Sequence, residues 1–134
     1  MCGIAGIFLI DQKNYRLKID LIKKMNEIQS HRGPDANGVW ISRNKKIAFG
    51  HSRLSIIDLS IKANQPFQDL KKNYTITFNG EIYNQLEIRK KLIEKGYKFK
   101  TKNSDTEVLL LSYLEWKKDC LKYIRGMFAF AIWD

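Results

Sequence analysis

The spacing of apolar residues changes period along the chain, and each change marks an element. Gly3 to Ile10 is an almost unbroken apolar run, the pattern of a strand covered on both faces. Leu21, Met25 and Ile28 follow i, i+4, i+7 and predict the apolar face of a helix that ends before His31-Arg32-Gly33-Pro34-Asp35, a turn signal. Gly38 to Ser42 and Lys46 to His51 read as the arms of a hairpin around Arg43-Asn44. Tyr74 to Phe78 alternates strictly and predicts a strand that stops at Asn79-Gly80. Leu86, Leu92 and Ile93 predict a second helix, closed by Gly96. Ser104-Asp105-Thr106-Glu107 fits a capping box, with Ser104 as N-cap and Glu107 at N3, opening a third helix whose Val108 to Leu111 run implies deep burial. Met127 to Trp133 reads as a last apolar, buried strand, and its place just before Asp134 predicts a fragment of a longer domain.

These elements follow one another without repeats or linkers. With 134 residues, 44% of them hydrophobic, they suit one domain with one ordinary core. The net charge of +10 suggests a nucleic-acid partner at first sight. It is spread as doublets such as Lys23-Lys24, Lys45-Lys46 and Lys90-Lys91, however, so it reads as solvated faces and predicts no nucleic-acid role. No run approaches the ~18 apolar residues of a membrane span, and the N-terminal apolar run has neither a basic region before it nor a cleavage signal after it. The expectation is a soluble, cytoplasmic chain with no membrane partner. Cys2 and Cys120, with only His31 and His51 beside them, form no metal-ligand spacing, so no metal is expected.

Cys2 carries the first chemical signal. Removal of Met1 would leave a cysteine with a free α-amine, placing a thiol of pKa ~8.5 and an amine of ~8 in one residue. The amine can accept the thiol proton, directly or through one water, and the thiolate can attack an acyl carbon. On its own, a cysteine at position 2 is more often incidental.

Six motifs appear in order: Met1-Cys2-Gly3-Ile4-Ala5-Gly6-Ile7-Phe8, His31 to Asp35, Arg53-Leu54-Ser55-Ile56-Ile57-Asp58, Asn79-Gly80-Glu81-Ile82-Tyr83-Asn84, Ser104 to Glu107, and Gly126 to Phe130. Together they resemble the amino-terminal glutaminase domain of glutamine-hydrolysing asparagine synthetase, a class II glutamine amidotransferase. The resemblance covers the whole chain and implies an α+β fold of the N-terminal-nucleophile hydrolase type. That fold stacks antiparallel sheets with helices on the outer faces, a four-layer αββα arrangement, here truncated at the C-terminus. Residues 1–134 are then an incomplete glutaminase domain without its synthetase domain.

The resemblance also assigns roles. Cys2 becomes the nucleophile that forms the γ-glutamyl thioester. The Asn79 side-chain amide and the Gly80 backbone N–H form the oxyanion hole, although Asn-Gly is equally the strongest short signal of a hairpin turn. Arg53 offers a planar fork to the α-carboxylate of L-glutamine, Leu54, Ser55, Ile56 and Ile57 add backbone contacts, and Glu81 and Asp105 face the α-ammonium. An acid at Asp105 would also stabilise the helix dipole without any ligand. His31 and Arg32 belong to a motif with no derivable step and read as a structural loop. The reaction implied is glutamine hydrolysis to glutamate and ammonia. It would feed ATP-dependent conversion of aspartate to asparagine in the synthetase domain of a longer protein, which would be a homodimer. No cofactor belongs to this chain; ATP and Mg belong to the synthetase domain, and the chain has no Ser-Gly-Gly-x-Asp-Ser pyrophosphate loop. The alternatives are the glutaminase domain of a sugar-phosphate or phosphoribosyl amidotransferase and an inactive fragment. The first normally carries Trp near the carboxylate-binding arginine, where this chain has Gly50-His51-Ser52-Arg53-Leu54-Ser55.

Overall fold

A computed structural model describes residues 2–10 and 17–134; Met1, whose removal the Cys2 chemistry requires, lies outside them. In chain order the elements are β1 (Gly3–Phe8), α1 (Ile19–Ile28), β2 (Ala36–Ile41), β3 (Ile47–Arg53), β4 (Phe67–Gln68), β5 (Thr75–Ile82), α2 (Gln85–Glu94), α3 (Asp105–Trp116) and β6 (Gly126–Trp133). Two antiparallel sheets result, ordered β1-β3-β2 and β4-β5-β6. Helix α1 covers the outer face of the first sheet through Ile22, packed with Leu17 and Ala48. Helices α2 and α3 cover the second, where Ile88, Leu92 and Val108 to Leu111 pack on Ile76, Phe78 and Ile82. This is the four-layer αββα arrangement that the resemblance implies.

The two sheets meet through their central strands. Thr77 Oγ1 donates to Gly50 O at 3.2 Å, and His51 Nε2 lies 3.1 Å from Phe78 O. The strict alternation of Tyr74 to Phe78 therefore separates two buried faces, Ile76 and Phe78 toward α3 and Thr75 and Thr77 toward β3, rather than a buried face from a wet one.

Several local expectations are corrected. The first strand is not covered on both faces: β1 is an edge strand, and Phe8 is 54% exposed. The last strand, β6, is likewise an edge, and Met127 is exposed. The buried stripe of α1 is Ile22 and Asn26, with Leu21 and Ile28 outside. Asn26 belongs inside because its amide donates to Gly38 O at 2.8 Å and so ties the helix to β2. On α2 the inward positions are Ile88 and Leu92, while Leu86 and Ile93 face solvent. Gly96 does close that helix at φ +92, its N–H bonded to Ile93 O at 2.9 Å. Ser104 occupies the N-cap of α3 without a side-chain cap bond. Glu107 turns inward instead and accepts from Lys100 N, Thr101 N and Thr101 Oγ1 at 2.6–2.8 Å, so the expected capping box is replaced by a carboxylate that folds the preceding loop. No helix among the described residues is long and apolar enough to cross a membrane.

Candidate active site

Cys2 enters β1 beside the end of β3, where the Gly3↔Ser52 pairing brings it against Leu54. The Leu54 N–H points at Cys2 Sγ, 3.3 Å away, and the thiol reaches back to Leu54 O at 3.6 Å. Arg32 Nε donates to Cys2 O at 3.3 Å, which gives the His31-Arg32 turn a definite task of fixing the nucleophile's backbone; His31 is exposed. Gly33 is required there, because a Cβ would strike the backbone of Ser52 and Arg53. Asp35 completes the link by accepting the Ser55 N–H at 2.7 Å.

Arg53 is 8% exposed at the end of β3 and already partly engaged. Its Nη1 donates to Ser60 O at 3.0 Å and to Asn64 Oδ1, and its Nη2 donates to Asp58 O. Two of the guanidinium's five N–H groups remain for a ligand. The same bonds hold the 54–60 loop over the site. Asp58 extends them, accepting Ser60 N at 2.9 Å and Asn103 N at 3.2 Å. Burial raises the Asp58 pKa, but the bonds from Ser60 and Asn103 and the nearby Arg53 outweigh it and hold the carboxyl below its ordinary value.

The expectation that the strand of Tyr74 to Phe78 stops at Asn79-Gly80 fails. Strand β5 runs on to Ile82, with Asn79 opposite Ala129 and Gly80 opposite Phe128, so the pair makes no hairpin turn. Pairing with β6 holds it extended, and the other edge of β5 is organised differently. There β4 pairs only with Ile76 and Thr75, and side chains take over the strand's polar groups. Phe78 N–H donates to Gln65 Oε1 at 2.6 Å, and Ile82 N–H to Asp105 Oδ2 at 3.3 Å. Alternate residues of an antiparallel strand point their N–H groups the same way, so the Gly80 N–H between these two is turned to the same edge. Asn79 and Glu81 share one face of β5.

Asp105 is the first residue of α3, 7% exposed, with the helix N-terminus behind it. Burial pushes its pKa above the ordinary value, opposed by hydrogen bonds from Ile82, Thr106 and its own N–H, and Glu81 pushes it further up.

These groups line a single cavity of about 250 Å³: Cys2, Arg53, Leu54, Ile56, Ile57, Asn79, Gly80, Glu81 and Asp105 all border it, and Ser55 alone of the expected residues does not. Ser55 is turned to Asp35 through its N–H. The cavity therefore offers a thiol, inward N–H donors, a guanidinium and two carboxylates around a space suited to a small zwitterion. Sequence reasoning missed Asp58, Asn64, Gln65 and His51. Asn64-Gln65-Pro66 falls between the expected elements, and His51 lies inside a strand pattern.

Residues 1–134 match the family model for the glutamine amidotransferase domain. Over its whole length the chain is 44% identical to asparagine synthetase [glutamine-hydrolyzing] 1 of Bacillus subtilis (strain 168), covering 21% of that protein. It is 38% identical to asparagine synthetase B [glutamine-hydrolyzing] of Escherichia coli (strain K12), covering 23% of it. The chain thus spans about a fifth of the length of these relatives. Among solved structures, glutamine phosphoribosylpyrophosphate amidotransferase from B. subtilis, complexed with ADP and GMP, superposes with a TM-score of 0.76. That match covers 97% of this chain and 34% of the other at 20% identity, a likeness of fold.

Proposed function

The chain belongs to the glutamine amidotransferase domain family, and on that premise we propose that the Cys2 cavity hydrolyses L-glutamine to glutamate and ammonia. The observation that carries the reading is the convergence of Cys2, Arg53, Asn79, Gly80 and Asp105 on one small cavity from four separate stretches of sequence.

Glutamine binds with its α-carboxylate on the two unused Arg53 donors and its α-ammonium toward Asp105 and Glu81, which leaves the side-chain amide near Cys2. With Met1 removed, the Cys2 α-amine takes the thiol proton, and the Leu54 N–H supports the resulting thiolate. Sulfur attacks the amide carbon. Negative charge then develops on the amide oxygen, where the Asn79 side-chain amide and the Gly80 N–H receive it; donors preplaced in this way are worth about 2.7–4 kcal/mol each in other enzymes. The C–N bond breaks, the departing nitrogen takes the proton from the ammonium form of the α-amine, and ammonia leaves. Water hydrolyses the γ-glutamyl thioester to glutamate and restores the thiol.

The identities to glutamine-hydrolysing asparagine synthetases support a further step. The ammonia would pass to a synthetase portion that converts aspartate to asparagine at the expense of ATP, in the cytoplasm. Steady-state glutamate release by the chain and by Cys2→Ala tests the hydrolytic reading. Release that depends on Cys2 is expected, and equal rates from both proteins would overturn it.

A further inference from the structure

The edge of β5 is bare where catalysis would need it bare. Strand β4 begins only at Phe67, opposite Ile76, and runs from there toward Thr75, so the strand that could pair with Phe78 to Ile82 is missing on that side. A buried, unpaired backbone group is costly, yet a neighbouring strand at this point would also cover the Gly80 N–H. The chain resolves the conflict at Phe78 with two side chains. Gln65, 8% exposed, accepts the Phe78 N–H through Oε1 at 2.6 Å and donates through Nε2 to Thr106 Oγ1 at 3.1 Å. His51, 1% exposed, donates from Nε2 to Phe78 O at 3.1 Å, since a carbonyl can only accept. That assignment leaves His51 Nδ1 as a buried acceptor without a partner, a cost the fold carries in order to aim Nε2.

We infer that Gln65 and His51 are positioning residues: by holding the N–H and C=O of Phe78 in place of a pairing strand, they fix the Asn79 amide and leave the Gly80 N–H open to the reacting oxygen. The inference rests on the glutaminase reading, because it concerns donors that matter only if an oxyanion forms. Gln65 joins two sides of the site, since Phe78 precedes Asn79 and Thr106 follows Asp105. His51 joins β5 to the strand that carries Arg53 two residues on. Gln65 borders the cavity with its amide committed to Phe78 and Thr106, and His51 does not border the cavity at all. Their removal should therefore act on the transition state through Asn79 and Gly80 while leaving substrate binding and the thiol intact.

The test uses the whole 134-residue chain with Gln65→Met, His51→Leu and His51→Gln, assayed below each protein's melting transition. Glutamate release gives kcat and KM, and alkylation of Cys2 by iodoacetamide reports the thiol without calling on an oxyanion. Gln65→Met and His51→Leu should lower kcat at least tenfold, with KM and the alkylation rate within about twofold. His51→Gln, which keeps a donor for Phe78 O, should recover kcat to within about threefold of the unsubstituted chain. If His51→Leu does not melt cooperatively, Gln65→Met alone decides. Unchanged kcat in Gln65→Met, or kcat, KM and alkylation falling together, overturns the inference and leaves the glutaminase reading standing. Absence of Cys2-dependent release from the unsubstituted chain overturns both.

Discussion

His51 should make the acid stability of this protein depend on one imidazole. Burial between the sheets lowers its pKa from 6.5 to about 4; the bond to Phe78 O raises it against that trend, and the nearby Arg53 lowers it further. In the unfolded chain the imidazole takes up a proton near 6.5, whereas the folded chain resists until about pH 4. A group whose folded pKa lies below its unfolded value contributes stability that is fully present above 6.5 and is lost as pH falls toward 4. At about 1.4 kcal/mol per pH unit, that window corresponds to a loss of about 3 kcal/mol, a large share of the ~5–15 kcal/mol that holds a domain together. His51→Gln keeps the donor to Phe78 O and removes the titration. Urea unfolding of both proteins at intervals from pH 7.5 to pH 4 isolates the effect, because every carboxylate is common to the two. The stability of the unsubstituted chain relative to His51→Gln should fall by about 3 kcal/mol across that range. A difference that stays constant with pH would refute the reasoning, since it would mean that the imidazole titrates alike in both states.

Three other substitutions probe the cavity. Asp105→Asn should raise KM for glutamine by roughly tenfold to a hundredfold with little change in kcat, as expected for a lost charge-assisted bond to the ammonium. The folded state raises the Asp105 pKa, so the ionised carboxyl opposes folding at neutral pH, and the variant's melting temperature at pH 7 should not fall. For the same reason, KM of the unsubstituted chain should begin to rise on acidification at a pH above the ordinary carboxylate value of 3.8. Arg53→Lys keeps the charge but loses the fork and the anchors to Asp58, Ser60 and Asn64. Its kcat/KM should fall at least tenfold, and its preference for glutamine over an analogue lacking the α-carboxylate should shrink. Gly80→Ala sets a Cβ against Met127 O and 2.6 Å from Phe128 Cα, backbone atoms that cannot step aside. A loss of about 1–3 kcal/mol in urea unfolding, with the loss of glutamate release, is expected.

Much of this was legible in the sequence, for identifiable reasons. Val108 to Leu111 and Ile76 with Phe78 follow their apolar patterns because the core between the second sheet and its helices buries them, whereas Leu21, Ile28, Leu86 and Ile93 mark their helices in the sequence yet face solvent. The site residues were legible because each stands in a motif whose chemistry requires that residue type, and nine of the ten border one cavity. What failed were features set by partners distant in sequence. Asn79-Gly80 reads locally as a turn and becomes strand only because β6 pairs with it some fifty residues later. Glu107 reads as a capping acid until the loop at Lys100 and Thr101 claims its carboxylate. Asn26 reads as an outward polar residue, yet the carbonyl of Gly38 draws it inside. Gln65 and His51 gave no signal because their work is to bond a backbone, which polar side chains of several types can do.

The central claim is that Cys2, freed of Met1, is the nucleophile of a glutamine-specific site. Intact-mass and peptide mapping after incubation with a diazoketone analogue of glutamine measures this most directly, because attack must leave a covalent mark on one sulfur. The account predicts a chain lacking Met1 that carries one adduct, on Cys2, whose formation L-glutamine slows. Adduct on the buried Cys120, or a Cys2 that stays unlabelled while the chain remains folded, would contradict it.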